Sequence, residues 1–296
     1  MSALFANSNT GRRAITSRLG ALSRGIALLS VTFLLGACSL VPAKNYSQPV
    51  VLASVDAPSG ADPDVMRYRE GRAAGAAHEV PRLPEPDLTV TPEVERQLAS
   101  FKKGRRFIER SLLKREEYLP VIREIFAEEG VPEDLINVAL IESGFNKDAR
   151  SYAGAVGMWQ FMKSTGRSYG LEVSRKVDDR KNVVDSTIAA ARHLRDLYGI
   201  FGDWYLALAA YNAGIGGVSR AITRAGSSDF WVVAKKGRLK RQTIEYVPRF
   251  IAATIIVNDL EGHGFTALAQ NLESMRLAKN GAIAGDGSER ASYRAR

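Results

Sequence analysis

A single carboxylate, Glu142, stands at the end of a long apolar run and is followed at once by Ser143 and Gly144. The run opens after Pro132, which suits the first turn of a helix, while the glycine suits its end. A helix this apolar must be largely buried, so we expect Glu142 at the edge of the core. Because burial disfavours the charged form of a carboxyl group, its pKa should be raised, which suits it to general acid catalysis. The alternative is that Glu142 only caps or braces the helix end.

A glycine-interrupted, aromatic segment follows the glutamate at residues 153–162 and reads AGAVGMWQFM. Its small residues allow the backbone to approach a bound ligand closely. Its second half supplies the mixture of polar, aromatic and apolar side chains that commonly lines a binding cleft. A hydrophobic core alone does not need this combination, so the pattern favours a site beside Glu142.

A second polar pair, Tyr211 and Asn212, ends another apolar segment just before Ala213 and Gly214. Side chains at a helix end can emerge into a cleft, so this pair is predicted to bind a ligand. The preceding residues from Trp204 onward are predicted to be core.

Metal and nucleophilic chemistry are not indicated. The three histidines, His78, His193 and His263, are scattered and have no HxxxH or HExxH partner, so we predict no metal site and no cofactor. Ser143 lies in no GxSxG motif and has no histidine placed to activate it. We therefore assign it an orienting role.

Three motifs in this order resemble the catalytic domain of soluble-type lytic transglycosylases, most closely its membrane-bound D branch. They are ESGF from Glu142, GAVGMWQFM from Gly154, and AAYNAG from Ala209. The likeness runs from roughly residue 116 to residue 262. Two positions depart from the branch, Met158 where it usually has leucine and Lys163 where it usually has proline. Both lie outside the chemistry, so they affect only the local shape of the loop.

The resemblance implies an all-α, lysozyme-like domain, with a small irregular or β-ribbon segment near residues 155–163. It makes Glu142 the catalytic residue. The substrate-binding residues that it implies are Ser143, Met158, Gln160, Phe161, Tyr211, Asn212 and Tyr246. Peptidoglycan glycan strands are the substrate that it implies.

The implied reaction needs one carboxylate. Glu142 would protonate the leaving oxygen of the MurNAc-GlcNAc bond and then accept the proton of the MurNAc C6 hydroxyl, which closes a 1,6-anhydro ring. Ordinary glycosidases use a second carboxylate. The aspartates in loop or cap settings offer no spacing that singles out a partner for Glu142; they are Asp148, Asp178, Asp179 and Asp203.

Two other functions fit the same residues. The first is a hydrolase of the goose-type lysozyme kind, which shares the fold and the glutamate but releases reducing ends. The second is an inactive peptidoglycan-binding lipoprotein that scaffolds an envelope complex.

The N-terminus predicts an exported lipoprotein. Four arginines without any acidic residue precede an apolar run from Ile26 to Leu35, which is too short to span a membrane comfortably. The residues up to Cys38 resemble a bacterial lipobox, and Ser39 after it resembles the pattern that directs lipoproteins to the outer membrane. We therefore expect an acylated Cys38 and a protein that faces the periplasm. An ordinary signal peptide with a chance cysteine, or an uncleaved anchor helix, are the alternatives.

The cysteine count and net charge exclude other classes. Cys38 is the only cysteine, so disulfides and cysteine-rich metal sites are excluded. The formal charge of +9 falls to +5 once the four arginines of residues 1–37 are removed. That charge suits an acidic polymer such as the cell wall, and no nucleic-acid-binding motif accompanies it, so we predict no nucleic-acid partner.

Composition and apolar spacing, together with the two resemblances, suggest five parts of the chain. They are a signal peptide with lipobox at 1–37, a Pro-rich tether at 38–92, a helical extension at 93–115, the catalytic domain at 116–264, and a polar, partly disordered tail at 265–296. Besides the helix that carries Glu142, helices are predicted over 92–113, 120–126, 185–198, 203–213 and 243–257.

Overall fold

The computed structural model describes residues 80–278 together with Pro63 and Tyr68, and these residues belong to one compact unit. Its α-helices are α1 (Pro92–Lys103), α2 (Arg105–Glu128), α3 (Asn137–Ser143), α4 (Lys163–Ser168), α5 (Val183–Phe201), α6 (Trp204–Ala213), α7 (Ile215–Ala225), α8 (Phe230–Lys235) and α9 (Arg241–Asn258). Short 3-10 helices lie at Glu133–Ile136 and Asp179–Lys181, and residues 266–278 are helical as well.

The described residues contain no β-strand, so the expected all-α class is confirmed. The β-ribbon expected near residues 155–163 is reduced to isolated bridges, which join Arg150 to Val156 and Val156 to Phe161. Among the described residues, no helix is both long and apolar enough to cross a membrane.

The helix that carries Glu142 forms as its sequence predicts. The 3-10 helix after Pro132 leads directly into α3, whose residues Val138, Ala139 and Leu140 are fully buried. Gly144 ends the helix with a φ of 61°, in the left-handed region that glycine adopts without a steric penalty. Glu142 therefore lies in the last turn of α3, at the edge of the core.

The core joins α3 to the later helices. α9 packs against α1, α3 and α6, and α6 also packs against α5 and α7. Asp203 caps α6 as predicted, because its side chain accepts a hydrogen bond from Leu206 N at 2.8 Å. The alanines of α6, from Ala207 to Ala210, are buried and let the neighbouring helices approach closely.

Predicted helix boundaries are wrong around α1, α2 and α5. α1 ends at Lys103, and α2 then runs from Arg105 straight through Pro120, because buried side chains on both sides of the proline outweigh its missing backbone hydrogen bond. α5 starts at Val183, since Asn182 rather than Asp185 caps it. α9 runs from Arg241 to Asn258, close to its predicted limits at or near Thr243 and Val257.

Parts of the segments predicted as tether and tail pack on the core. In the segment expected to be a tether, Leu83 N donates to Gly130 O at 2.8 Å and Trp204 Nε1 donates to Pro84 O at 2.6 Å. At the other end, Phe265, Leu268 and Leu272 are buried in the core, although they fall within the predicted polar tail. Burial of these apolar side chains outweighs the polar composition around them.

The remaining domain predictions lie outside the described residues. They concern the signal peptide, Cys38, most of the tether, and residues 279–296.

Candidate active site

The candidate site is centred on Glu142 and Tyr246, which come from α3 and α9. Tyr246 donates its hydroxyl proton to Glu142 Oε1 over 2.7 Å, although the two residues lie 104 positions apart in the chain. Glu142 is partly buried, and this burial raises its pKa from the ordinary value of 4.5 to about 7. The hydrogen bond from Tyr246 and the positive charge of Arg249 act in the opposite direction but do not cancel the effect. The predicted rise in pKa is therefore confirmed.

Tyr246 remains a neutral phenol at this position. Its side chain is buried, and burial raises its pKa well above the ordinary value, with the charge of Glu142 raising it further. It can therefore donate a hydrogen bond to the carboxylate at any working pH. This arrangement couples the last turn of α3 to the first half of α9.

Tyr211 and Asn212 lie in the last turn of α6 and face the same region. The Tyr211 hydroxyl donates to Trp159 O at 2.8 Å, and Asn212 Oδ1 accepts from Thr243 Oγ1 at 3.0 Å. Burial raises the pKa of Tyr211 as well, and the Glu142 charge adds to this rise, which places the phenol near the carboxylate. Contacts with two other segments thus hold both side chains of the predicted pair at the end of α6.

Ser143 holds the loop that follows α3. Its hydroxyl donates to Met158 O at 2.7 Å and accepts from Asn146 N at 3.1 Å. The residue next to the catalytic candidate is thereby tied to the loop of residues 156–161, hereafter the glycine loop. This contact supports the orienting role predicted for the serine.

The glycine loop is a tight, strained turn. Gly157 has a φ of 89° and Gln160 a φ of 53°, a conformation that is uncommon for a residue with a side chain. The Gln160 amide donates to Gly157 O at 2.8 Å, so the side chain folds back on the loop that carries it. Val156 and Phe161 exchange both of their backbone hydrogen bonds across the turn.

Two predicted substrate-binding side chains belong to the core instead. Met158 is 0% exposed and Phe161 is 3% exposed, so neither side chain offers a surface to a ligand in this structure. Apolar side chains are stabilised by removal from water, which explains why they turn inward from the loop. Trp159 is buried beside them, stacks on Phe126 and donates from Nε1 to Thr187 Oγ1 at 3.0 Å.

Sequence reasoning missed Arg180, which fastens the glycine loop. This arginine is 5% exposed, and its Nη1 donates to Gly154 O at 3.2 Å and to Phe161 O at 3.1 Å. Its other nitrogens bind both oxygens of Asp178 at 2.7 and 2.8 Å. No sequence motif marks this arginine, because its partners are backbone carbonyls 19 and 26 positions away.

The four aspartates considered as a second carboxylate are each engaged elsewhere. Asp148 pairs with Lys181 at 3.0 Å, Asp178 with Arg180, and Asp179 accepts from the backbone of Glu172, while Asp203 caps α6. Arg180 holds the pKa of Asp178 below its usual value. Among residues 80–278, no group of three or more His, Cys, Asp or Glu side chains is placed to hold a metal ion.

Comparisons with known proteins show which family this chain resembles. Residues 121–234 match the family model described as the transglycosylase SLT domain. The chain is 34% identical over 202 residues to membrane-bound lytic murein transglycosylase D of Escherichia coli strain K12, and the match covers 67% of this chain and 42% of that relative. It is also 41% identical over 113 residues to peptidoglycan transglycosylase gp16 of Escherichia phage T7, covering 37% of this chain and 9% of the phage protein.

The chain also matches a solved structure, that of an inactive mutant of the lytic transglycosylase Slt from Pseudomonas aeruginosa. The match covers 49% of this chain and 24% of the Slt chain, with 25% sequence identity and a TM-score of 0.42. The match to the lytic transglycosylase D relative spans less than half of that relative's length. The resemblance to the soluble-type lytic transglycosylase domain and its D branch, inferred from the three motifs, is therefore confirmed over this part of the chain.

Proposed function

We propose that this protein is a peptidoglycan lytic transglycosylase. It would cleave the β-1,4 bond between MurNAc and GlcNAc without water, leaving 1,6-anhydroMurNAc ends. The observation that carries the proposal is the Glu142 carboxyl group, partly buried, with a pKa of about 7 and a hydrogen bond from a buried tyrosine. The names of the matched relatives, a lytic murein transglycosylase and a peptidoglycan transglycosylase, support the same substrate class.

The first step is general acid catalysis by Glu142. A carboxyl group with a pKa near 7 is substantially protonated at neutral pH, so it can donate a proton to the glycosidic oxygen as the bond breaks. The carboxylate that remains accepts the hydrogen bond of Tyr246 and feels the positive charge of Arg249. Both interactions stabilise the charge that develops on Glu142 during this step.

The second step returns the proton to Glu142. The carboxylate accepts the proton of the MurNAc C6 hydroxyl, whose oxygen bonds to the anomeric carbon and closes the 1,6-anhydro ring. Ring closure is intramolecular, and well-oriented reactions of this kind reach effective molarities of up to ~10⁵–10⁸ M. Water has no comparable advantage unless a second carboxylate activates it.

The engagement of the aspartates favours this route over hydrolysis. A goose-type hydrolase would need a base, and Asp148, Asp178 and Asp179 are the candidates. Asp178 is held on both oxygens by Arg180, while Asp148 pairs with Lys181 and Asp179 bonds to the backbone of Glu172. Each of the three carboxylates is thus already engaged by a cationic or backbone partner, and Asp178 is engaged through both oxygens.

The site residues divide into two groups. Gln160, Tyr211, Asn212 and Tyr246 are proposed to bind the glycan around Glu142. Met158 and Phe161 would act only through the shape of the glycine loop, which Ser143 fastens to α3. The proposed catalytic domain keeps its predicted limits of residues 116–264, with the docked segments before and after it packing on the same core.

The proposed location is the outer membrane, with the protein facing the periplasm and acylated on Cys38. We expect Cys38→Ala to yield protein that is not acylated and no longer sediments with the outer membrane. The measurement is membrane fractionation with mass spectrometry of the N-terminus. Processed Cys38→Ala protein that sediments like wild type would contradict the lipobox.

Product analysis tests the reaction itself. Purified protein is incubated with sacculi, and the released muropeptides are weighed by mass spectrometry. Each 1,6-anhydro product is lighter by about 18 mass units, one water, than the corresponding hydrolysis product. Glu142→Gln, nearly isosteric but unable to donate an acid proton, should lose at least ~10²-fold in rate.

Each alternative has its own outcome in this experiment. Mostly reducing ends would overturn the transglycosylase assignment in favour of the hydrolase. Binding without any product from the wild-type protein would favour the inactive scaffold. A Glu142→Gln variant that retains half of the activity would remove Glu142 from the mechanism.

A further inference from the structure

The side chain of His193 links the proposed glycan-binding residues to α5. We propose that His193 is a positioning residue for glycan binding, which acts by holding Tyr211 in place against the glycine loop. This inference rests on the proposed function of the Glu142 site. It assigns a role to a histidine for which the sequence predicted only that it binds no metal.

One side of the imidazole ring is fixed by hydrogen bonds. His193 Nδ1 lies 3.0 Å from the Tyr169 hydroxyl, and that hydroxyl donates to Asp196 Oδ2 at 3.1 Å. A phenol has one proton and a carboxylate only accepts, so the Tyr169 oxygen is left to accept from His193. The histidine must therefore carry its proton on Nδ1, and Asp196 sets its tautomer through Tyr169.

The imidazole also contacts the rings of the site. Its centroid lies 5.2 Å from the Tyr211 ring at 38°, and 6.2 Å from the Phe161 ring at 41°. Tyr211 in turn donates its hydroxyl proton to Trp159 O in the glycine loop. The histidine thus packs at once on the end of α6 and on the loop, the two segments that the Tyr211 hydrogen bond joins.

The protonation state of this histidine is constant under working conditions. Burial lowers the pKa of His193 from 6.5 to about 4, so the ring is neutral at neutral pH. Titration of the ring therefore does not disturb its hydrogen bond to Tyr169 near neutral pH. No contact joins His193 to Glu142 among the interactions described for residues 80–278.

This geometry predicts a loss of affinity rather than of chemistry. His193→Phe keeps an aromatic ring beside Tyr211 but removes the hydrogen bond that orients it. We expect KM to rise by about 3–10-fold, the range that the loss of one ordinary hydrogen bond produces, with kcat changed by less than about twofold. Tyr169→Phe removes the same hydrogen bond from the other side, so it should likewise raise KM and leave kcat nearly unchanged.

The decisive experiment measures affinity without turnover. Soluble glycan strands prepared from sacculi are titrated into the full-length Glu142→Gln protein, with and without His193→Phe. The change should weaken binding by about 3–10-fold. His263→Phe is the matched control, since His263 lies beyond α9 and its Nδ1 is buried without a hydrogen-bond partner.

A double-mutant cycle separates positioning from a general loss of stability. If His193 acts through Tyr211, His193→Phe should cost no further affinity once Tyr211→Leu is present. Urea unfolding of each variant shows whether the fold is retained. Restored affinity in His193→Asn, whose amide can replace the Nδ1 donor, would further support the hydrogen bond as the cause.

The possible failures are distinct. Unchanged affinity in His193→Phe, or losses that add fully to those of Tyr211→Leu, would overturn the role of His193 and leave the proposed function standing. Reducing ends as products would overturn the proposed reaction while the affinity measurement still decides on His193. Failure of every variant and of the wild type to bind glycan would overturn both.

Discussion

Removal of one hydroxyl group, in Tyr246→Phe, should move the pH at which the enzyme loses activity. The phenylalanine keeps the buried ring on α9 and removes only the donor that lies 2.7 Å from Glu142 Oε1. That hydrogen bond lowers the pKa of Glu142, whereas burial, which the substitution leaves unchanged, raises it. The pKa of Glu142 in the variant must therefore lie above the wild-type value of about 7.

The size of this change follows from the strength of the lost bond. A hydrogen bond to a charged group contributes about 1.5–3 kcal/mol, and one pKa unit corresponds to about 1.36 kcal/mol. The largest expected rise is therefore about two pKa units. Glu142 is only partly buried, so water can replace part of the lost interaction, and a rise of about one unit is the expected result.

The pH dependence of kcat/KM on sacculi reports this pKa, because it reflects the free enzyme. Activity requires the protonated acid, so the wild-type rate should fall as the pH rises through about 7. In Tyr246→Phe the same fall should occur at higher pH. Tyr211→Phe is the matched control, since its hydroxyl bonds to Trp159 O and its removal should leave the midpoint in place.

A second measurement avoids turnover altogether. The carboxyl carbon of Glu142 can be titrated by NMR in protein labelled at glutamate, with the signal assigned from Glu142→Gln. An unmoved midpoint in Tyr246→Phe in both measurements would refute the claim that Tyr246 tunes the acid. A downward move would reverse the inferred direction of the hydrogen bond's effect.

Three further predictions concern stability. The pKa of Glu142 rises from 4.5 to about 7 on folding, so between these values the folded state binds more protons than the unfolded state and loses stability as the pH rises. In urea unfolding, the stability of Glu142→Gln relative to wild type should therefore be up to about 3 kcal/mol greater above pH 7 than below pH 4.5. A stability difference that does not depend on pH would contradict this. Gly157→Ala should lower the free energy of unfolding by more than ~2 kcal/mol, since the added Cβ would meet the Arg180 carbonyl oxygen. Gly154→Ala is the control and should cost less, because Gly154 has a similar φ of 87° but open space around it; equal losses in thermal unfolding would refute the role of the contact. Ser143→Ala should cost about 1–3 kcal/mol, because it leaves Met158 O without its partner, and an unchanged urea midpoint would argue against that bond.

The sequence determined the features that depend on neighbouring residues. The apolar run before Glu142 predicts a buried helix, and Gly144 can adopt the left-handed φ of 61° that ends it. Asp203 caps α6 through a backbone group three positions away. The turn and the cap are local effects, in which a φ angle or a side chain acts within about one helical turn. The apolar pattern also predicts that the helix is buried, and burial raises the pKa of Glu142.

Tertiary structure alone decided which partners these residues have. Tyr246 reaches Glu142 from α9, and Arg180 binds the carbonyl oxygens of Gly154 and Phe161, because helices distant in the chain pack on one core. The same packing turned Met158 and Phe161 inward, although their motif predicted contact with substrate. A local pattern states that a residue is apolar or can donate a proton, whereas only the packed fold determines whether it faces the core, a ligand or another side chain.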